Sequence, residues 1–141
     1  MTRYSRGVVW FNRTVLAAVT FVMTMIAMRS LRDPIGSTLP IGIALGSPSA
    51  VTVVRVGFGG FPLGFAVALF VCLIAQERLL AGMSLVLAVV GGATAARIQG
   101  LLLDGTTPYN VALLRPEIVM LVLSALGIVL EVRRRRSERA A

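Results

Sequence analysis

The sequence predicts an all-α fold, an antiparallel bundle of four transmembrane helices with both termini on the cytoplasmic side. Three observations lead there. Hydrophobic residues make up 57 % of the chain and charged residues 14 %, where an ordinary soluble domain carries about 25 % charged residues. So few charges cannot clothe a water-facing surface, whereas a lipid-facing one needs none. Apolar runs close to the length of a membrane crossing recur along the chain, separated by proline, glycine or charge. The 14 basic residues, all arginine, gather at the ends of those runs and in the C-terminal tail, as orientation in a membrane requires.

A single domain over residues 1–136 is expected, followed by a frayed tail at 137–141, with spans at about 8–28, 57–75, 79–96 and 111–132. The first span follows a basic head, MTRYSRG. Crossing about 30 Å of hydrocarbon takes about 20 apolar residues, so Val15–Met28 must borrow Val8–Phe11 and carry Asn12 and Arg13 along. Trp10 and Phe11 suit the interface, and Arg13 can snorkel toward it. The run resembles a signal peptide, but cleavage needs small residues after it. Arg29, Ser30, Leu31 and Arg32 follow instead, so the span is expected to be retained.

Asp33–Pro34 ends this helix, because proline disfavours helical backbone in the residue before it. Residues 33–54 contain Pro34, Pro40 and Pro48 yet are rather apolar, which predicts an interfacial or partly re-entrant connection. Span two contains Gly60 and Gly64, a GxxxG pair that lets another backbone approach, with Pro62 expected near its entry turn. The short link Gln76–Arg78 makes spans two and three antiparallel neighbours. In span three Ser84, Ala88, Gly92, Ala96 and Gly100 recur every four residues. Such small-residue stripes are where helices pack in lipid. Arg97–Asn110 is expected to be a second long connection, with a turn at Asp104–Gly105. Span four begins after it and ends at Glu131 and the run Arg133–Arg136.

With both termini inside, nine arginines fall on the cytoplasmic side (3, 6, 13, 78, 133–136 and 139) and five outside (29, 32, 55, 97 and 115), in keeping with the positive-inside rule. The tail arginines then act as a stop-transfer anchor with an attraction for anionic lipid. Arg55, Arg97 and Glu117 share the outer end. Charges at that depth snorkel or pair, so Glu117 is expected to pair with Arg97, Arg55 or both. Adding Asp33 and Asp104 leaves five bases against three acids outside. The surplus either anchors helix ends or holds an anion such as a lipid phosphate or a carboxylate.

The element Arg55-x-Gly57-x-Gly59-Gly60-x-x-Leu63-Gly64, with Arg97, Asp104–Gly105 and Glu117, resembles the motifs of a bacterial family of small four-helix membrane proteins of unknown function. The likeness covers roughly residues 33–131. It implies the four-helix fold and the charged positions, and no activity. Here Val53–Val54 precede Arg55, where related chains often carry a polar or acidic residue.

Several function classes lose ground. Nucleic-acid binding lacks every companion motif. The chain has no His for acid–base work near neutral pH and a lone cysteine, Cys72, so neither a disulfide within the chain nor a metal-ligand cluster is expected. No nucleophile–base pair is visible from spacing. The reading is a non-enzymatic, multi-pass protein of the inner (plasma) membrane, without cofactor, that packs with itself, a membrane partner or lipid. The alternatives are a carrier or binding protein using the outer arginines for an anion, and a membrane enzyme acting on a lipid or quinone.

Overall fold

The computed structural model describes residues 3–140. The side chain of Arg3, part of the basic head, and Ala141, the last residue of the expected tail, lie outside that description. The protein is all-α, with no strand among the described residues. The elements are α1 (Arg3–Arg32), α2 (Pro34–Thr38), a 3-10 turn (Leu39–Ile41), α3 (Pro48–Val54), a π-helical turn (Arg55–Gly60), α4 (Phe61–Ile74), a 3-10 turn (Gln76–Arg78), α5 (Leu79–Leu103) and α6 (Pro108–Arg139). Four stretches are long and apolar enough to cross a membrane: Tyr4–Arg32, Pro48–Ile74, Gln76–Leu103 and Pro108–Arg139.

These helices are longer than the sequence alone suggests. The second begins at Pro48, not Gly57, because Ser47 accepts a hydrogen bond from the Ala50 amide and proline takes the first turn, where its missing donor costs nothing. The connection before it shrinks to 33–47 and is itself partly helical. Asp33 caps α2 through the Gly36 amide at 2.8 Å. The second expected connection shrinks to 104–107, so Arg97 lies within α5 and not in a loop. At its far end α6 stays helical to Arg139 instead of fraying after Arg136. With 32 residues, α6 extends about 48 Å at a rise of about 1.5 Å per residue, well beyond the hydrocarbon.

The chain divides into two compact units, residues 1–16 with 71–141 and residues 17–70. In the second unit the close approach is between α1 and the π turn. A Cβ on Gly59 would lie 2.7 Å from Leu31 Cγ, so any larger residue would force Leu31 to shift. Gly57, Gly59 and Gly60 lower the helix propensity of this stretch, and the Phe61 amide bonds back five residues to the Val56 carbonyl. Pro62 follows directly. It therefore sits mid-way along the Pro48–Ile74 helix and not at an entry turn, and the widened turn accommodates its missing N–H.

In the first unit α5 and α6 run antiparallel, and side chains mark the register along their length. Arg135 reaches the Glu77 carbonyl, Met83 meets Gly127, Leu121 lies against Gly91 and Arg97 bonds Glu117. The start of α1 joins them, antiparallel to α6, through Ser5 with Glu138 and Asn12 with Gly127. The core consists of Val8, Val9, Val15, Leu16, Leu79, Met83, Val86 and Val90. Two glycines permit it. A Cβ on Gly82 would fall 2.8 Å from Cys72 Cβ and 2.9 Å from Leu16 Cδ1, and one on Gly127 would fall 2.5 Å from Asn12 Oδ1.

The expected packing residues differ from these. Ser84, Ala88, Gly92 and Ala96 are exposed and Gly100 is half-buried. Gly60 and Gly64 are exposed too, and a Cβ on Gly64 or Gly92 would meet nothing within 4 Å. Within the chain α5 instead buries Leu79, Gly82, Met83, Val86, Val90 and Thr94. The reason is rotational. A strict four-residue repeat advances about 40° around the helix per step, so the stripe winds away, while steps of three and four together hold one face. Gly82→Ala is expected to lower stability by about 1–3 kcal/mol through overpacking, and Gly92→Ala to leave it unchanged or slightly raised. Thermal unfolding of the two variants in detergent checks this.

Candidate ionic sites at the two ends of the α5–α6 pair

Arg97 sits in α5 about two turns before its end, and Glu117 on the third turn of α6 beyond the N-cap Thr107. Arg97 Nε donates to both carboxylate oxygens at 3.0 Å, and Nη2 donates to Oε1 at 2.7 Å. Nη1 reaches Asn110 Oδ1 at 3.4 Å. Both side chains are partly shielded, at 23 % and 12 % exposure. A forked contact of this kind holds orientation as well as charge. It is the pairing expected of Glu117, and the partner taken is Arg97.

The other residues of the expected cluster have their own surroundings. Arg55 is exposed at the start of the π turn, in the second unit. Asp104 is exposed at the C-cap of α5, where its amide bonds the Gly100 carbonyl. It enters no ion pair among the described residues. Gly105 follows with φ +92°, a left-handed turn that glycine adopts without strain. Just beyond, Thr106, Thr107, Pro108, Val111, Ala112 and Arg115 line a shallow hollow of about 450 Å³.

The other end of the pair holds a site absent from the sequence reading. Glu131 is fully buried and Arg134 is 4 % exposed. Arg134 donates to Glu131 through Nε at 2.9 Å and Nη2 at 2.7 Å, and to Glu138 through Nη1 at 2.7 Å. Arg135 donates to Glu131 Oε1 at 2.9 Å and to the Glu77 carbonyl at 2.6 Å. Ser5 donates to Glu138 at 2.6 Å. One chain of charge-assisted bonds therefore fastens α1, the 76–78 turn and α6 together. Gln76, Glu77, Arg134, Arg135, Glu138 and Arg139 line an open polar hollow of about 420 Å³ above it.

The signal for this site was in the sequence. Residues 131, 134, 135 and 138 stand three, four and seven apart, the spacing at which helix side chains meet. A run of four like charges masks that spacing. Asn12, which the sequence shows only as a polar residue carried within the first span, is fully buried, and its amide donates to the Gly127 carbonyl at 3.5 Å. A carboxamide buried between helices in lipid is used as a contact across them.

The two sites differ in depth, and the consequences of breaking them differ accordingly. Glu131→Gln removes the buried carboxylate that Arg134 and Arg135 share, leaving buried Arg134 only the exposed Glu138, and is expected to cost about 3–5 kcal/mol. Glu117→Gln, at a partly exposed pair, is expected to cost about 1–3 kcal/mol. Thermal unfolding in the same detergent ranks the two, and the opposite order would contradict the depths described. Compared with known proteins, the chain matches no family model, no curated protein and no solved structure, so the reading of these sites rests on their own geometry.

Proposed function

We propose that this membrane protein works by assembly and not by chemistry: α5 docks against the same helix of a second copy, in the inner membrane, with both termini cytoplasmic. The observation that carries this reading is the exposed face of α5. Ser84, Ala88, Gly92 and Ala96 lie outside the chain's own core, so the surface best suited to close helix contact is left open. In lipid, small residues are what let two helices approach, because no hydrophobic drive brings them together. The chain's strongest charge contacts, at Glu117 and Glu131, are fork-shaped pairs with its own arginines, the first between α5 and α6 and the second within α6. A structural role accounts for both without a substrate. The resemblance to a family of small four-helix membrane proteins agrees with this reading and adds no activity.

A second reading keeps the outer arginines for an anion. Arg97 is engaged by Glu117, which shifts that role to Arg55. Arg55 is exposed on a π turn, a feature frequent at functional sites, and Arg29 and Arg32 are exposed in the same unit. The sole acid there, Asp33, is engaged as a helix cap.

Native mass spectrometry of the full chain in detergent tests the first reading. A defined oligomer that Gly92→Leu converts to monomer, with the melting of the monomer unchanged, is the expected result. A wild-type protein that stays monomeric at all concentrations would overturn it.

A further inference from the structure

The arginine run at the end of α6 is divided by the fold. At about 100° per residue, Glu131, Arg134, Arg135 and Glu138 occupy roughly a quarter of the helix circumference. That is the face carrying buried Glu117, Ser124 and Gly127. Arg133 and Arg136 stand on the opposite side and are exposed. They continue a line of exposed apolar residues, Ile118, Val122, Leu126 and Val129, whose exposure is 47 %, 60 %, 45 % and 47 %.

One outward face of α6 therefore changes from aliphatic to cationic within a single turn, between Val129 and Arg133. A helix face that changes in this way matches the step from acyl chain to phosphate in a bilayer. The neighbouring elements add to the charge. The Ser5–Glu138 bond brings exposed Arg6 to this end, and the Arg135–Glu77 bond brings exposed Arg78. Arg139 lines the hollow beside them. The carboxylates Glu131 and Glu138 are spent on Arg134 and Arg135, which leaves Glu77 as the one uncommitted acid among the described residues of this rim.

We infer that Arg133 and Arg136, flanked by Arg139, Arg6 and Arg78, form a binding surface for the phosphate groups of anionic phospholipids, whereas Arg134 and Arg135 of the same run serve the fold and not the lipid. This surface is separate from the stripe on α5, and it holds whether the protein is a monomer or an oligomer. The lipid phosphate is favoured over a soluble anion because the cations continue an apolar face and do not line an enclosed pocket.

The test uses the full chain in detergent, titrated with phosphatidylglycerol or phosphatidylcholine and read by native mass spectrometry. Wild type is expected to retain phosphatidylglycerol in preference. The triple variant R133Q/R136Q/R139Q is expected to lose that preference about tenfold or more, given the attraction of each basic residue for an anionic surface, with its melting temperature unchanged. R135Q, at a half-buried position, is expected to melt lower while the folded protein keeps the preference. R134Q repeats that measurement at the deeper site if it folds. Retention of the preference by the triple variant, or an equal loss in R135Q, would overturn the inference. Equal binding of both lipids by wild type would overturn it as well.

Discussion

The register of α5 against α6 is the constraint on which the first unit depends. Lipid offers helices little reason to associate, since acyl chains are as apolar as leucine. What fixes the pair must therefore be directional or steric. Both kinds of contact occur, distributed along its length. Arg97–Glu117 holds one end, Arg135 on the Glu77 carbonyl holds the other, and Met83 seats against Gly127 between them. Sliding by one turn would part Arg97 from Glu117 and Arg135 from the Glu77 carbonyl, and drive Met83 into a side chain. A glycine hole, one ion pair and one arginine–carbonyl hydrogen bond thus do what a water-driven core does in a soluble bundle.

The two ends solve different electrostatic problems. At the Arg97 end a single fork-shaped pair sits partly open, so each charge retains some solvation and the pair mainly fixes orientation. At the Glu131 end a carboxylate has been taken wholly out of solvent. That is tolerable only because two guanidinium groups satisfy it, and they in turn are held by Glu138 and a backbone carbonyl. The price of this arrangement is that one arginine of the four-arginine run is buried and a second is half-buried. The remaining arginines then face outward with little opposing charge, on the same side of the helix as its exposed aliphatic residues.

In the second unit the same economy of contacts produces an irregular helix. Leu31 needs Gly59 to be bare, and the glycines that provide this also loosen the backbone. The π turn is where that looseness is expressed, and it carries the chain past Pro62 without breaking the span. Arg55 opens that turn, so its placement follows from the backbone irregularity and not from a pairing partner.

The class of fold was legible in the residues alone: composition, apolar runs and the punctuation at Asp33–Pro34 and Gln76–Arg78 leave four long helices as the solution. The residues alone also determined that Glu117 would need an arginine, since a carboxylate near an apolar run cannot stand alone. The tertiary structure decided which arginine, which glycines are bare because a neighbour presses on them, and which side of the 133–136 run faces inward. Periodicity reports that small or charged residues share a face, but not what lies opposite. Gly82 and Gly127 are close-contact positions only because Leu16, Cys72, Met83 and Asn12 arrive there, and those approaches are set by helix rotation and register, which local sequence does not encode.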